Sequence, residues 1–256
     1  ALPLGAGLPA GMSGMEAIAY SHAGQELTGW LARPSGDVRA AVILFPTIAN
    51  FNAPMERRAK MLAELGYLTL IADFYGEPVA SFEASFPLAE KLRADNDHYR
   101  GRIAAAIAAL RTLSEALGSE ALGPDASDLP MLGLGYCMGG QAVLEAARSG
   151  QDLLAAVSFH GTLSTPRPAE PGTIRPRILV CHGDADPLVP REQVIGFWEE
   201  MDKAGANWHF HAYSGVRHGF TDRGSDERGM AALGYDASAD RQSWAAMLSL
   251  FDEVLD

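Results

Sequence analysis

From residue 40 onward, short unbroken apolar runs alternate with segments of helical spacing, and this pattern restricts the fold more than any other feature of the chain. Ala40-Ala-Val-Ile-Leu-Phe45 is apolar throughout, and Tyr67–Ala72, Leu132–Tyr136, Leu153–Phe159 and Ile178–Cys181 are runs of similar kind. A strand with one wet face alternates in polarity; a strand covered on both faces has no need to. Between these runs, Met55–Leu65 (ending at Gly66), His98–Leu117 (closed by Gly118), Met138–Arg148, Arg191–Ala204 and Ser243–Leu255 are predicted helices. Trp244, Met247, Leu248 and Phe251 share one face of the last. Asn207–Tyr213 reads as a strand with alternating character. Such an order calls for an α/β fold, a mostly parallel sheet with helices on both faces and right-handed crossovers. Ligands then bind beyond the carboxyl ends of the strands.

A hairpin, Ala17–Ser21 and Leu27–Ala32 around Gly24, is expected ahead of this core, and residues 76–96, with Pro78 and Pro87, as a surface excursion. Residues 15–256 read as one domain, and 1–14 as a flexible extension or an expression remnant. That stretch has no basic n-region and is compatible with a leader removed upstream.

The formal charge of −12, from 20 Lys+Arg against 32 Asp+Glu, repels nucleic acid and anionic membranes. No run reaches the roughly 18 apolar residues of a membrane span. The expected partner is a small molecule, with neither nucleic acid nor membrane, and the chain is expected to be a monomer or homodimer in the cytoplasm. Its two cysteines, Cys137 and Cys181, are expected as reduced thiols rather than a disulfide.

Gly135-Tyr136-Cys137-Met138-Gly139 follows a strand and opens a helix. This is the form of a nucleophile elbow with sulfur in place of oxygen: small neighbours two residues away let the chains pass, and the tight turn projects the side chain. The helix N-terminus favours a thiolate. A buried core cysteine in a glycine-rich turn would use the same residues, and Cys181, inside an apolar run, is read as that.

Acid and base candidates follow in chain order. Asp184 and Asp186 lie just past the strand Ile178–Cys181. Asp186 is preferred because Pro187 fixes the turn after it; Asp184 reads as a turn aspartate. His218 sits in a glycine-flanked loop after the strand ending at Tyr213. His160 ends a strand and is expected to line a pocket, and His182 to pack beside the acid turn. His209 and His211 face one side of a strand without a third ligand at metal spacing. For an oxyanion, one donor is the Met138 N–H; the second comes from the loop after Phe45, where Pro46 has no N–H and Thr47 and Ile48 do.

Gly-Tyr-Cys-Met-Gly-Gly at 135–140, His-Gly-Asp-Ala-Asp-Pro-Leu-Val-Pro at 182–190 and Arg-His-Gly-Phe at 217–220 resemble the dienelactone hydrolase family, across about residues 16–255. The resemblance implies the α/β-hydrolase fold, a Cys137–Asp186–His218 triad, Ile48 as second oxyanion donor, and no metal or organic cofactor. Thr47 stands where dienelactone-cleaving members carry a glutamate beside the thiol. Glu77 and Asp222 (with Arg223 one residue on) fall where those members carry carboxylate-binding arginines. The expected substrates are therefore neutral carboxylic esters or lactones, and activated aryl phosphotriesters, processed through an acyl-enzyme. The expected pocket is Phe51, Tyr75, Phe86, His160 and Phe220. The rivals are dienelactone cleavage itself (a carboxymethylenebutenolidase), a non-catalytic ligand-binding protein and a redox-sensing thiol.

Overall fold

A computed structural model describes residues 15–122 and 129–256. The expected extension at 1–14 lies outside the described residues.

Eight strands form one sheet in the order β1-β2-β4-β3-β5-β6-β7-β8. β1 (Glu16–His22) and β2 (Gln25–Ala32) are the hairpin, and β2 runs antiparallel to β4 (Tyr67–Ile71). β3 (Ala40–Phe45), β4, β5 (Met131–Tyr136), β6 (Ala155–Phe159), β7 (Arg177–Gly183) and β8 (Trp208–Tyr213) are mutually parallel. β3 shows why its sequence does not alternate. Ala41, Ile43 and Phe45 face one core, Ala40, Val42 and Leu44 the other, and all six are buried.

The first core is covered by α2 (Ser85–Ala94), α3 (Asn96–Leu122), α4 (Met138–Arg148) and α5 (Arg191–Ala204), and the second by α1 (Ala53–Glu64) and α6 (Ala237–Leu255). Asn52 caps α1, its Oδ1 accepting from the Met55 N–H at 3.1 Å. Gly66, at φ 90°, then turns the chain into β4.

Three expectations need correction. The surface excursion expected at 76–96 contains a helix, α2, that the sequence reading does not place. Its buried residues are few and Pro87 sits near its start, where proline is tolerated, so neither periodicity nor proline marked it. α3 starts at Asn96 and runs on to Leu122 rather than closing at Gly118; one glycine costs a helix only about 1 kcal/mol. α6 begins six residues earlier than expected, at Ala237, because its start is set by the cap Asp236, whose Oδ1 accepts from the Ala239 N–H at 2.8 Å, rather than by an apolar stripe.

Among the described residues no helix is long and apolar enough to cross a membrane.

Candidate active site

The site lies where the parallel strands end. β5 runs into Cys137, whose φ of 55° and ψ of −116° put it in a strained turn before α4. The flanking glycines are a steric requirement: a Cβ on Gly135 would lie 1.9 Å from the Gly139 carbonyl oxygen, and one on Gly139 would lie 1.9 Å from the Phe45 carbonyl oxygen. Cys137 is half-buried, Cys181 fully so, and both are free thiols.

β7 ends in a turn that carries Asp186, which is 3% exposed. Its two carboxylate oxygens have separate tasks. Oδ1 accepts from the Leu188 N–H at 2.8 Å, and Oδ2 lies 2.7 Å from His218 Nδ1. Asp184, by contrast, is taken up by a two-pronged pair with Arg191. The loop after β8 presents His218 and is held by the Ala232 carbonyl, which accepts from the His218 N–H, and by the Gly234 N–H, which donates to the His218 carbonyl.

His218 Nε2 is buried and has no partner with full hydrogen-bond geometry in this resting arrangement. It is nevertheless close enough to the Cys137 sulfur for each group to reset the other. Burial opposes a charged imidazole, but the Cys137 thiolate and Asp186 outweigh it and push His218 up to about 10. Burial likewise opposes a thiolate. The charge of His218 and its hydrogen bonding, with the backbone N–H groups of Met138 and Ile48, overcome that and bring Cys137 below its usual 9.0. The two shifts are reciprocal: each group favours the charged form of the other. A loose contact of this kind is common before substrate arrives.

His160 sits against the same pair. Its φ of 41° is unusual for a non-glycine. The Cys137 N–H donates to both the Phe159 carbonyl (3.0 Å) and His160 Nδ1 (3.2 Å). Since Nδ1 accepts, the proton of the neutral ring is on Nε2, which faces Thr221 Oγ1 at 2.9 Å. Burial, and then the charge of His218, hold His160 well below the usual histidine range, which favours the neutral ring.

Cys137, His160 and His218 open on a cavity of about 30 Å³, room for a water or two, also lined by Thr47, Ile48, Met55, Arg58, Phe82 and Arg228. Of the five expected pocket residues, His160 alone lines it. Phe51 packs on Trp30 with ring centroids 5.2 Å apart. Tyr75 lies behind the wall, its hydroxyl on the Ile48 carbonyl. Phe86 is 43% exposed and touches Phe82 edge-on. Phe220 is wholly buried against His160 and Tyr213. Aromatic type selects for burial in general, not for this wall.

The charges also differ from expectation. Glu77 is exposed and does not line the cavity. Asp222 does line it, but Arg228 Nη2 holds it at 2.6 Å while the Arg228 guanidinium lies 4.6 Å from the Phe82 ring centre. Arg58, 3% exposed, is paired with Asp240 and donates to the Thr221 carbonyl at 3.2 Å. The wall therefore carries cations that are already neutralised by carboxylates. Arg58 could have been found from sequence, since it falls three residues after Met55 and four before Leu62 on the buried face of α1. A charge on an apolar face needs a buried partner. Phe82 and Arg228 left no such signal.

Thr47, next to Ile48 in the loop after β3, uses Oγ1 to accept from the Ala49 N–H and Asn52 Nδ2. His182 is buried beside Phe210 with both ring nitrogens unpartnered. His209 and His211 are exposed on β8. Among the described residues no three His, Cys, Asp or Glu side chains converge to hold a metal ion.

The sheet order, the crossovers and the strand-end site define an α/β-hydrolase. The chain belongs to the dienelactone hydrolase family, whose sequence model matches residues 27–255, and with that family it is a hydrolase. A solved structure titled m3DLH is 34% identical, with a TM-score of 0.81 over 94% of this chain and 98% of the other. A dienelactone hydrolase-like promiscuous phosphotriesterase, P91, from metagenomic libraries is 30% identical, with a TM-score of 0.78 and coverage of 94% and 98%. An uncharacterized Caenorhabditis elegans protein is 38% identical over 123 residues, 47% of this chain and 77% of that protein.

Proposed function

We propose that the protein hydrolyses neutral carboxylic esters or lactones by covalent catalysis at Cys137, and activated aryl phosphotriesters by the same route. One observation carries this reading: a half-buried sulfur, an imidazole braced by a carboxylate, and two backbone N–H groups meet at one small cavity.

The Cys137 thiolate attacks the carbonyl carbon, and the developing oxyanion is met by the N–H groups of Met138 and Ile48. As the C–O bond breaks, His218 gives its proton to the departing alcohol, leaving a thioester. Neutral His218 then takes a proton from water, whose oxygen attacks the thioester; the acid leaves and the thiolate returns. Asp186 holds the ring and favours its charged form.

The preference for neutral substrates follows from the wall. Arg58 and Arg228 are each committed to a carboxylate, so a substrate carboxylate would have to displace Asp240 or Asp222. The similarity to a promiscuous phosphotriesterase supports activated phosphorus centres as secondary substrates. A site without the usual glutamate still has an activated thiol, because His218 and the two amides stabilise the thiolate without Thr47.

The test is a panel of neutral and anionic aryl esters assayed with wild type, Cys137→Ala and Cys137→Ser. A burst of aryl alcohol equal to the enzyme concentration, lost in Cys137→Ala, is expected. Retained turnover in Cys137→Ala would sink the mechanism. A dienelactone cleaved far faster than any neutral ester would sink the specificity.

A further inference from the structure

The two N–H groups that meet the sulfur lie outside the sheet ladder. Ile48 is in the loop after β3, and Met138 opens α4. Each is backed by a buried phenol. Tyr75 donates its hydroxyl to the Ile48 carbonyl at 2.9 Å, and Tyr99, from α3, donates to the Met138 carbonyl at 3.0 Å. The Tyr75 oxygen also lies 3.7 Å from Met138 Sδ, so one hydroxyl touches both residues. Tyr75 is 8% exposed and Tyr99 1%. Burial pushes both phenols far up, and they remain donors across any working pH.

Tyr75 is itself fixed. Asp73 Oδ1 accepts from the backbone N–H groups of Tyr75 and Gly76 and from Asn50 Nδ2, each at 2.9 Å. Asn50 Oδ1 accepts from the Phe74 N–H at 3.0 Å, and Asn50 holds the left-handed φ of 59° that turns the Ile48 loop. The loop bearing Ile48 is thus cross-tied to the loop after β4 at three points, and the tie nearest the sulfur is Tyr75.

We propose that Tyr75 and Tyr99 are positioning residues that preset the oxyanion hole, one for each donor. This rests on the acyl-transfer reading above. Neither phenol touches the reacting atoms; each fixes the residue whose N–H does. Because the same N–H groups stabilise the resting thiolate, the proposal has a readout independent of turnover.

The experiment compares Tyr75→Phe, Tyr99→Phe and Tyr67→Phe, the last removing a hydroxyl that accepts from Arg39 away from the site. Three quantities are measured: kcat and KM on a neutral aryl ester, the pH midpoint of Cys137 ionisation from thiolate ultraviolet absorbance, and Tm. Tyr75→Phe and Tyr99→Phe should each lower kcat by at least about fivefold and at most roughly 150-fold, the scale of one buried acceptor left unpaired. KM should hold within about twofold, and the midpoint should rise. Tyr67→Phe should move neither kcat nor the midpoint. Wild-type kcat and midpoint in both site variants would overturn the proposal, as would a lower Tm with an unmoved midpoint. If wild type turned over no ester while the midpoint still rose, positioning would stand and the acyl-transfer reading would fall.

Discussion

Asp186→Asn isolates what the carboxylate contributes, because the substitution keeps shape and removes only charge and one acceptor. Asp186 is wedged between two N–H donors: His218 Nδ1 at Oδ2 and the Leu188 backbone at Oδ1. An asparagine has one acceptor oxygen and one NH2 for these two positions. If its NH2 faces His218, Nδ1 must become the acceptor, and the ring proton moves to Nε2. The ring then presents a donor to the sulfur and can no longer take a proton from water. If the amide is flipped, its NH2 meets the Leu188 N–H, and a buried donor goes unpaired at a cost of about 1–3 kcal/mol.

Both outcomes hurt, and they are distinguishable. The first costs activity on the scale of a wrong-tautomer histidine, about 10⁴ in kcat in the well-studied serine-protease triad, and leaves stability nearly intact. The second keeps the tautomer and lowers stability. In either case His218 loses one of the two groups that raise it, so its pKa falls and the thiolate midpoint rises. The assays are single-turnover ester cleavage, thiolate absorbance against pH, and urea unfolding. The expected result is a loss of at least about 10² in acylation rate together with a raised thiolate midpoint. A variant within a few-fold of wild type, with an unchanged midpoint, would show that the buried carboxylate does not govern the imidazole.

The remaining predictions concern pH, packing and a buried charge network. The acid limb of kcat/KM should fall below the usual thiol value of 9.0, because protonation removes a thiolate that the site favours; loss of the imidazolium near 10 should mark the alkaline side, and a pH–rate profile reads both. Gly139→Ala should destabilise by about 3 kcal/mol in urea unfolding, since its Cβ would meet backbone rather than a flexible side chain. Glu145→Ala should cost about 3–5 kcal/mol, because Glu145 is wholly buried between Arg100 (2.7 Å) and Arg148 (3.0 Å) and its loss leaves cations short of a partner. Neutral replacement of the exposed Arg33–Glu16 pair should change stability by less than about 1 kcal/mol.

The fold and the Cys137, Asp186 and His218 arrangement were legible because each is announced locally. An unbroken run such as Ala40–Phe45 reports burial on both faces without reference to any other segment. Gly135 and Gly139 report the tight turn because backbone passes within contact distance of their α-carbons. Asp186 and His218 follow strands, and parallel strands bring their carboxyl ends to one edge whatever their separation in sequence. Topology therefore did the assembling, and local pattern was enough.

The cavity wall was not legible, for the converse reason. Phe82 precedes α2, Arg228 ends a 3-10 helix, and Arg58 lies on α1; nothing in any of the three segments specifies the other two. Their meeting depends on loop paths that side-chain pairs settle, such as Arg228 between Asp222 and Phe82. Choosing pocket residues by aromatic type favoured Phe220 and Tyr75, which the same apolar character draws behind the wall. Tyr75 nonetheless returns with a different part to play, because its hydroxyl, shut away from water, finds a buried acceptor in the carbonyl of Ile48. The polar end of a buried aromatic, rather than its apolar ring, is what ties this residue to the chemistry.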